Sequence, residues 1–264
     1  MSRNQREKEI LDILKSTNYA TVEFLASKLF ISTSSIRRDL SSLENKGYVR
    51  RSYGGVTLLS QPASLTPFSM RKQENKREKL SVVRNAAGLI QPGSAIFIDS
   101  STTALNFAFV LNAELNLTVY TNNLQLAHLL ASKHVRTYTA GGLVSDYNNV
   151  ITTGYYALDM LKNIYVDQMF FSSSALSEEG QVMDINEEET AVRKFMLTHA
   201  KIKAFLCLQE RFGRVSQHVV TGLDGIDWVV SDKGLPDSFT EKYPGTGFIS
   251  SEGPRVTEKE PNLH

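Results

Sequence analysis

With 264 residues, 41% hydrophobic and 22% charged, the chain has the composition of a soluble globular protein and room for one or two domains. A single cysteine excludes a disulfide framework or cysteine metal cluster, and no apolar run reaches the roughly 20 residues of a membrane span. The first residues, MSRNQREKEI, lack the apolar core of a signal peptide, so a cytoplasmic protein is expected. The net charge of +1 conceals a division: residues 1–87 hold 16 Lys/Arg against 8 Asp/Glu (+8), and residues 88–264 hold 13 against 20 (−7). The basic part suits a polyanion and the acidic remainder does not.

Residues 1–59 read as three helices and a hairpin. Ile10, Leu11 and Leu14 form the stripe of the first helix, which breaks at Ser16–Ala20. Thr21 caps the second, with Val22, Leu25, Ala26 and Leu29 inward. Ser32 or Thr33 caps the third, which runs to about Lys46 and stops at Gly47. Ile36, Leu40 and Leu43 face inward, which leaves Ser34, Ser35, Arg37, Arg38 and Ser41 for solvent or a partner. Short hydroxyls let such a helix approach the major groove, and arginines reach base edges or phosphates. Tyr48–Val49 begins an extended segment, Gly54–Gly55 turns it and Val56–Leu59 returns, so Arg50, Arg51 and Tyr53 are placed for flanking DNA backbone or the minor groove. The prediction is a winged helix-turn-helix domain for double-stranded DNA. A three-helix unit for protein contacts, with SIRRDL as a solvated face, is the alternative.

Residues 60–75, rich in proline and hydroxyls, read as a linker in which Pro67–Arg71 folds back on a domain surface. A helix follows over 76–90, with Leu80, Val83, Ala87 and Ile90 at helical spacing. Strands then alternate with helices: 95–99, 117–122, 135–142, 168–173, 203–208 and 227–232 against 103–111, 124–131, 157–164 and 187–200. That alternation predicts an α/β domain over 76–264 with a largely parallel sheet. Ligands in such sheets sit beyond the carboxyl ends of the strands. DSSTT (99–103), TNN (121–123) and AGG (140–142) fall there, and ITTG (151–154) precedes a helix. Asp99, Ser101, Thr102, Thr103, Asn122, Gly141, Gly142 and Gly154 are therefore candidate ligand residues. Backbone N–H groups of Ser100–Thr103 suit an oxyanion, and Asp99 suits a sugar hydroxyl or a bracing role. Taken alone, DSSTT reads first as an ordinary helix N-cap; the neighbouring turns favour a ligand.

The N-terminal block Leu25–Ala26, Leu29, Ile31–Ser32, Ser35–Leu40, Leu43–Glu44, Gly47 and Arg50–Val56 resembles the DeoR family of bacterial transcription regulators. The resemblance extends over nearly the whole chain. It implies a larger domain similar to ribose-phosphate isomerases and coenzyme-A transferases. It also implies operator binding altered by a small metabolite, often a phosphorylated sugar, as in a repressor of a carbohydrate operon. A single helix-turn-helix contacts little DNA, so a homodimer or homotetramer is expected. Asp39, acidic within the recognition helix, is expected to orient Arg37, Arg38 or a wing residue.

The family pattern Asp, any residue, Gly, Thr, Thr carries Ser101 here in place of glycine. Where the family has Asp, any residue, Ser, Lys, Phe, Gly, this chain has Leu208–Gly213, so Arg211 stands for the lysine as a phosphate grip. Glu189, Arg193, Lys194 and Met196 keep the family's acidic, basic, basic and methionine features, with arginine for the usual lysine at 193; the basic residues Arg193 and Lys194 are further pocket candidates, with a solvated helix face as the alternative. No cofactor, metal or catalytic residue is expected. The histidines lack ligand spacing, Cys207 reads as core, and none of the carboxylates Asp99, Asp184 and Glu189 is marked as a poised base. A sugar-phosphate isomerase-like enzyme is the remaining alternative.

Overall fold

The structure, a computed structural model, describes residues 3–17, 19–45, 48–52, 54–58, 68–145 and 148–251. The chain forms two compact units, Met1–Leu65 and Thr66–His264.

In the first unit, α1 (Arg3–Thr17), α2 (Val22–Leu29) and α3 (Thr33–Asn45) enclose a small core, with β1 (Tyr19–Thr21), β2 (Val49–Ser52) and β3 (Gly55–Leu58) beside them. Ile10, Leu14, Leu25, Ile36, Leu40 and Leu43 are buried, as the helical spacing of the sequence requires, and Val56 of β3 joins them. Thr21 Oγ1 accepts from the Phe24 N–H at 3.1 Å and caps α2. Ser32 begins α3: its Oγ accepts from the Ser35 N–H at 3.4 Å, and its carbonyl takes the N–H groups of Ser35 and Ile36. The expected break at Ser16–Ala20 hides a strand: β1 joins the hairpin in an antiparallel sheet of order β1-β3-β2. Gly54 turns the hairpin at φ +87, and Gly55 has no room for a Cβ because the ring of Tyr19 lies there.

The second unit runs α4 (Phe68–Arg71), α5 (Lys76–Ala87), β4 (Ala95–Ile98), α6 (Phe107–Val110), β5 (Thr118–Thr121), α7 (Leu124–Ala131), β6 (Arg136–Thr139), β7 (Leu143–Val144), β8 (Thr152–Thr153) and α8 (Tyr155–Leu161). It continues through β9 (Val166–Ser172), β10 (Ala175–Leu176), β11 (Gln181–Asp184), α9 (Glu187–Leu197), β12 (Ala200–Cys207), β13 (His218–Gly222), β14 (Trp228–Ser231), α10 (Asp237–Thr240) and β15 (Gly247–Ser250). Seven strands form one parallel sheet of order β15-β14-β12-β9-β4-β5-β6. Alternate residues feed the cores on its two faces: Ile96 and Ile98 enter one, Phe97 the other. The chain leaves β4 toward β5 and β6, then returns to build β9, β12, β14 and β15 on the other side. The β4–β9 boundary is therefore the topological switch point, the place where ligands bind in such sheets.

Two features depart from the sequence reading. A small antiparallel sheet, β10-β11-β13, lies outside the main one, and β7 pairs with β8. On α5, the inward face is Lys79, Val82, Val83 and Ala86, one residue back from the expected stripe, with Leu80 only partly buried. Phe68, in the segment expected to fold back, is buried in the core of the second unit.

Candidate functional sites

The outward face of α3 carries the DNA-binding candidates. Ser34, Arg37 and Arg38 are exposed and Ser35 is half-buried. Ser32 Oγ lies 3.1 Å from Ser34 Oγ and donates to Ser35 Oγ at 3.0 Å, forming a hydroxyl cluster at the start of the helix. Arg38 Nη2 donates to Ser35 Oγ at 3.3 Å. Arg37 is 60% exposed and stands 4.0 Å from Glu23 of α2, an exposed pair worth little and readily exchanged for a phosphate. Arg51 turns back onto α3, donating to Ser41 Oγ at 2.7 Å while its N–H reaches Glu44 Oε1 at 2.9 Å. Arg50 lies on β2 with its side chain outside the described residues, and Tyr53 lies outside them altogether.

Asp39 is not part of this face. It is 1% exposed and receives a forked pair from Arg6 of α1, Nε at 2.8 Å and Nη2 at 3.2 Å. The hydrogen bond to Asp39 holds the Arg6 guanidinium above its ordinary value. Helical geometry explains the correction. Asp39 lies three residues from Ile36 and four from Leu43, so it belongs to the buried stripe and ties α3 to α1.

In the second unit the polar turns meet. Asn122 Nδ2 donates to Thr152 O at 3.0 Å, and the Thr152 N–H donates back to Asn122 O at 2.9 Å. Asn123 Nδ2 reaches Ser100 O at 3.4 Å, and Thr152 Oγ1 donates to Ala140 O at 2.6 Å. DSSTT, TNN, AGG and ITTG thus form one bonded cluster above β4, β5 and β6. At Gly142 an added Cβ would stand 2.5 Å from Thr153 O, so that close approach requires glycine. Gly154 begins α8 at φ +83, again a glycine conformation, whereas Gly141 is open.

Within DSSTT the residues divide by role. Ser101 Oγ donates to Asp99 Oδ1 at 2.6 Å and accepts from the Ala104 N–H at 3.1 Å, while its own N–H donates to Asp99 Oδ1 at 3.1 Å. Ser101 therefore braces the loop. The residues with positive φ do not include it, so serine in the family's glycine position carries no left-handed strain. Thr102 is buried. The Thr103 Oγ1 and Asn122 Oδ1 atoms are buried without a hydrogen-bond partner, as is Thr190 Oγ1 on α9, a residue the sequence did not single out. Such atoms cost about 1–3 kcal/mol each when nothing satisfies them, and they mark where a polar ligand gains most.

Asp99 faces inward. Arg193 Nε donates to Asp99 Oδ2 at 2.7 Å, Nη1 to Asp184 Oδ2 at 2.8 Å and Nη2 to Glu189 Oε2 at 3.2 Å. Burial opposes charge on this guanidinium, but Asp184, Asp99 and Glu189 outweigh it and hold the group above its ordinary value. The three carboxylates considered as bases are thus gathered on one arginine. Glu189 also receives Asn148 Nδ2 at 3.0 Å and Ser100 Oγ at 3.3 Å. Lys194 is exposed on α9 and is not brought to the cluster, since one residue along a helix turns the side chain by about 100°.

Arg211 follows β12. Its Nη1 donates to Ser172 Oγ at 3.1 Å and to Ser173 O, gripping the carboxyl end of β9. Lys79, missed in the sequence, donates Nζ to Arg71 O and is 2% exposed. Burial first, then the charge of Arg211, pushes its ammonium down to about 8. Its signal in the sequence was the alternative spacing 79, 82, 83, 86, with a lysine at a core position. Burial pushes the Cys207 thiol up to about 12, in keeping with a core role. Among the described residues, no group of three or more His, Cys, Asp or Glu is arranged to hold a metal ion, and no helix is long and apolar enough to cross a membrane.

Residues 6–62 match the DeoR-like helix-turn-helix domain, and residues 74–233 match the DeoR C terminal sensor domain. The chain belongs to the DeoR family of helix-turn-helix transcriptional regulators. It is 31% identical to the HTH-type transcriptional repressor GlcR of Bacillus subtilis (strain 168), covering 90% of this chain and 91% of that one. It is 29% identical to the HTH-type transcriptional regulator GolR of Listeria innocua, over 92% and 96% of the two chains. To the glycerol-3-phosphate regulon repressor of Escherichia coli (strain K12) it is 28% identical, over 90% and 94%. Among solved structures, ribose 5-phosphate isomerase A from Methanocaldococcus jannaschii overlays 53% of this chain and 55% of its own, with a TM-score of 0.38 and 17% identity.

Proposed function

We propose that the protein is a repressor of a carbohydrate-metabolism operon, whose operator binding is modulated by a phosphorylated sugar in the crevice of the second unit. The observation that carries this reading is the pairing of two surfaces in one chain. One is a helix with exposed Ser34, Arg37 and Arg38 on a winged scaffold; the other is a cluster of polar turns with unpartnered Thr103 and Asn122 atoms. A relative that governs a glycerol-3-phosphate regulon supports the effector class. The sensing unit resembles the ribose-phosphate isomerase and coenzyme-A transferase fold in this reading, the linker expected over 60–75 gives way to the second unit by Phe68, and the active form is a homodimer or homotetramer. The DNA-contacting residues are Ser34, Ser35, Arg37 and Arg38, with Arg50, Arg51 and Tyr53 on the wing. Ser101, Gly142 and Gly154 shape the effector site, which Thr102, Thr103, Asn122 and Arg211 line.

Catalysis is the weaker reading, because the lone pairs a general base would use on Asp99, Asp184 and Glu189 accept hydrogen bonds from Arg193. The test is fluorescence anisotropy with a duplex from the protein's own upstream region. Arg37→Ala with Arg38→Ala lowers affinity at least 100-fold, and Thr103→Val leaves it unchanged but blunts the response to sugar phosphates. Wild-type binding that shows no steep salt dependence or no sequence preference would refute the regulator reading.

A further inference from the structure

We propose that Asn148 is a coupling residue, which carries the state of the DSSTT loop through Glu189 to Phe68, close to where the chain enters the second unit. The inference rests on the reading of the polar turns as the effector site, and it names how that site reaches the linker end of the unit.

A line of buried hydrogen bonds runs from the loop to the start of α4. Ser100 Oγ donates to Glu189 Oε2 at 3.3 Å. Asn148 Nδ2 donates to the other carboxylate oxygen, Oε1, at 3.0 Å. Asn148 Oδ1 in turn accepts the Phe68 N–H at 3.1 Å. The polarity of each joint is fixed by its ends. A carboxylate only accepts and a backbone N–H only donates, so the group between them must offer a donor to one and an acceptor to the other. A carboxamide does both. An ionised aspartate in its place would set two acceptors against each other. Buried bonds to a carboxylate are costly to leave unmade, so a displacement of Glu189 is felt at Asn148 rather than absorbed by water.

Both ends of the line are placed to matter. The Phe68 N–H is the first of α4, and the first N–H groups of a helix have no partner within it. The Phe68 side chain enters the core, and Arg71 O accepts from Lys79 Nζ. Upstream of Phe68 the chain leads to the first unit. At the other end, Glu189 Oε2 also accepts Arg193 Nη2 at 3.2 Å, while Arg193 Nε holds Asp99, the first residue of DSSTT. An effector that moves Ser100 or draws on Asp99 therefore changes the load on Glu189. A second route reaches the same residue from TNN. The Leu124 N–H donates to Val150 O at 2.8 Å, and the Ile151 N–H donates to Asn148 O at 2.8 Å. Two of the polar turns thus act on one amide, and that amide holds the start of α4.

Hydrogen exchange is followed by mass spectrometry over residues 66–75 of the full-length protein, with neither DNA nor effector added. Ser100 and Phe68 are separated by the three bonds of the line. Ser100→Ala should nonetheless speed exchange there by about fivefold. Asn148→Ala should do at least as much, and Ser100→Ala added to it should do no more. Asn148→Asp keeps an oxygen for Phe68 but loses the donor to Glu189. It should make exchange insensitive to Ser100→Ala, and it carries the test if Asn148→Ala does not fold. Ser177→Ala, which removes a buried hydroxyl from the β10–β11 turn, should leave 66–75 unchanged. In fluorescence anisotropy, Ser100→Ala should shift operator affinity by about threefold, and Asn148→Asp should erase that difference. Unchanged exchange in Ser100→Ala, or an equal Ser100→Ala effect with and without Asn148→Asp, overturns the coupling. An effect of the same size in Ser177→Ala also overturns it, since it marks general loosening. These outcomes leave wild-type operator binding and its response to sugar phosphates untouched, so the regulator reading stands or falls by its own test.

Discussion

Two charged clusters lie at the same end of the sheet and are built on opposite principles. Around Arg193 one cation meets three carboxylates, and each arm of the guanidinium has its own acceptor. Lys79 donates to a backbone carbonyl and Arg211 to a serine hydroxyl and a backbone carbonyl, with no carboxylate ion-paired to either among the described residues. The first is closed: its hydrogen bonds fix β4, β11 and α9 to one another. The second is open, because its donors outnumber its acceptors. The contrast does not follow residue type, since one arginine is saturated by carboxylates and the other meets a serine hydroxyl and a backbone carbonyl.

The comparison breaks most visibly at Arg193. Arg193→Leu leaves buried carboxylates without their partner, and loss of about 3–5 kcal/mol is expected for such a pair. Chemical denaturation should register it in the second unit, while the melting of the first is unchanged. At Lys79 the opposite sign is expected. Lowering a lysine from 10.5 to about 8 corresponds to about 3 kcal/mol of unfavourable burial at neutral pH. Lys79→Met should therefore hold or raise stability, offset in part by the lost bond to Arg71 O. A loss as large as that at Arg193 would put Lys79 in the same structural class.

The pH profile sharpens this. Below pH 8 the folded state holds a charged Lys79, and the cost is present in full. Between about 8 and 10.5 the folded protein gives up that proton while the unfolded chain keeps it, so stability rises with pH. Arg71, Glu74, Arg211 and Glu210 are the charged groups that act on Lys79. The rise, read from denaturation midpoints, should vanish in Lys79→Met. The smallest effect is expected at Thr103. Thr103→Val removes an unpartnered hydroxyl with little change of shape, so stability should stay level or rise by about 1 kcal/mol. Effector binding should weaken nonetheless, and a loss of stability without a loss of binding would assign the hydroxyl to the fold.

Much of this was legible beforehand. The Ile36, Leu40, Leu43 spacing exposed Arg37 and Arg38 with no tertiary information, because a helix's inward face dictates its outward one. The alternating strands and helices, and the four polar turns between them, were equally readable. Asp39 was not, since its partner Arg6 lies 33 residues away. Nor was β1, whose three residues are a strand only because β3 pairs with them.

By itself the sequence determined local periodicity, the polar turns, the basic recognition helix and family membership, all of which follow from residue type and short spacing. Tertiary structure alone decided which charges meet. It closed Arg193 on Asp99, Asp184 and Glu189, withdrew Ser101 into the brace of its own loop, and buried Lys79 of α5 against the carbonyl of Arg71. The physical reason is that a charge's meaning depends on its solvation and neighbours, and both are set by segments distant along the chain.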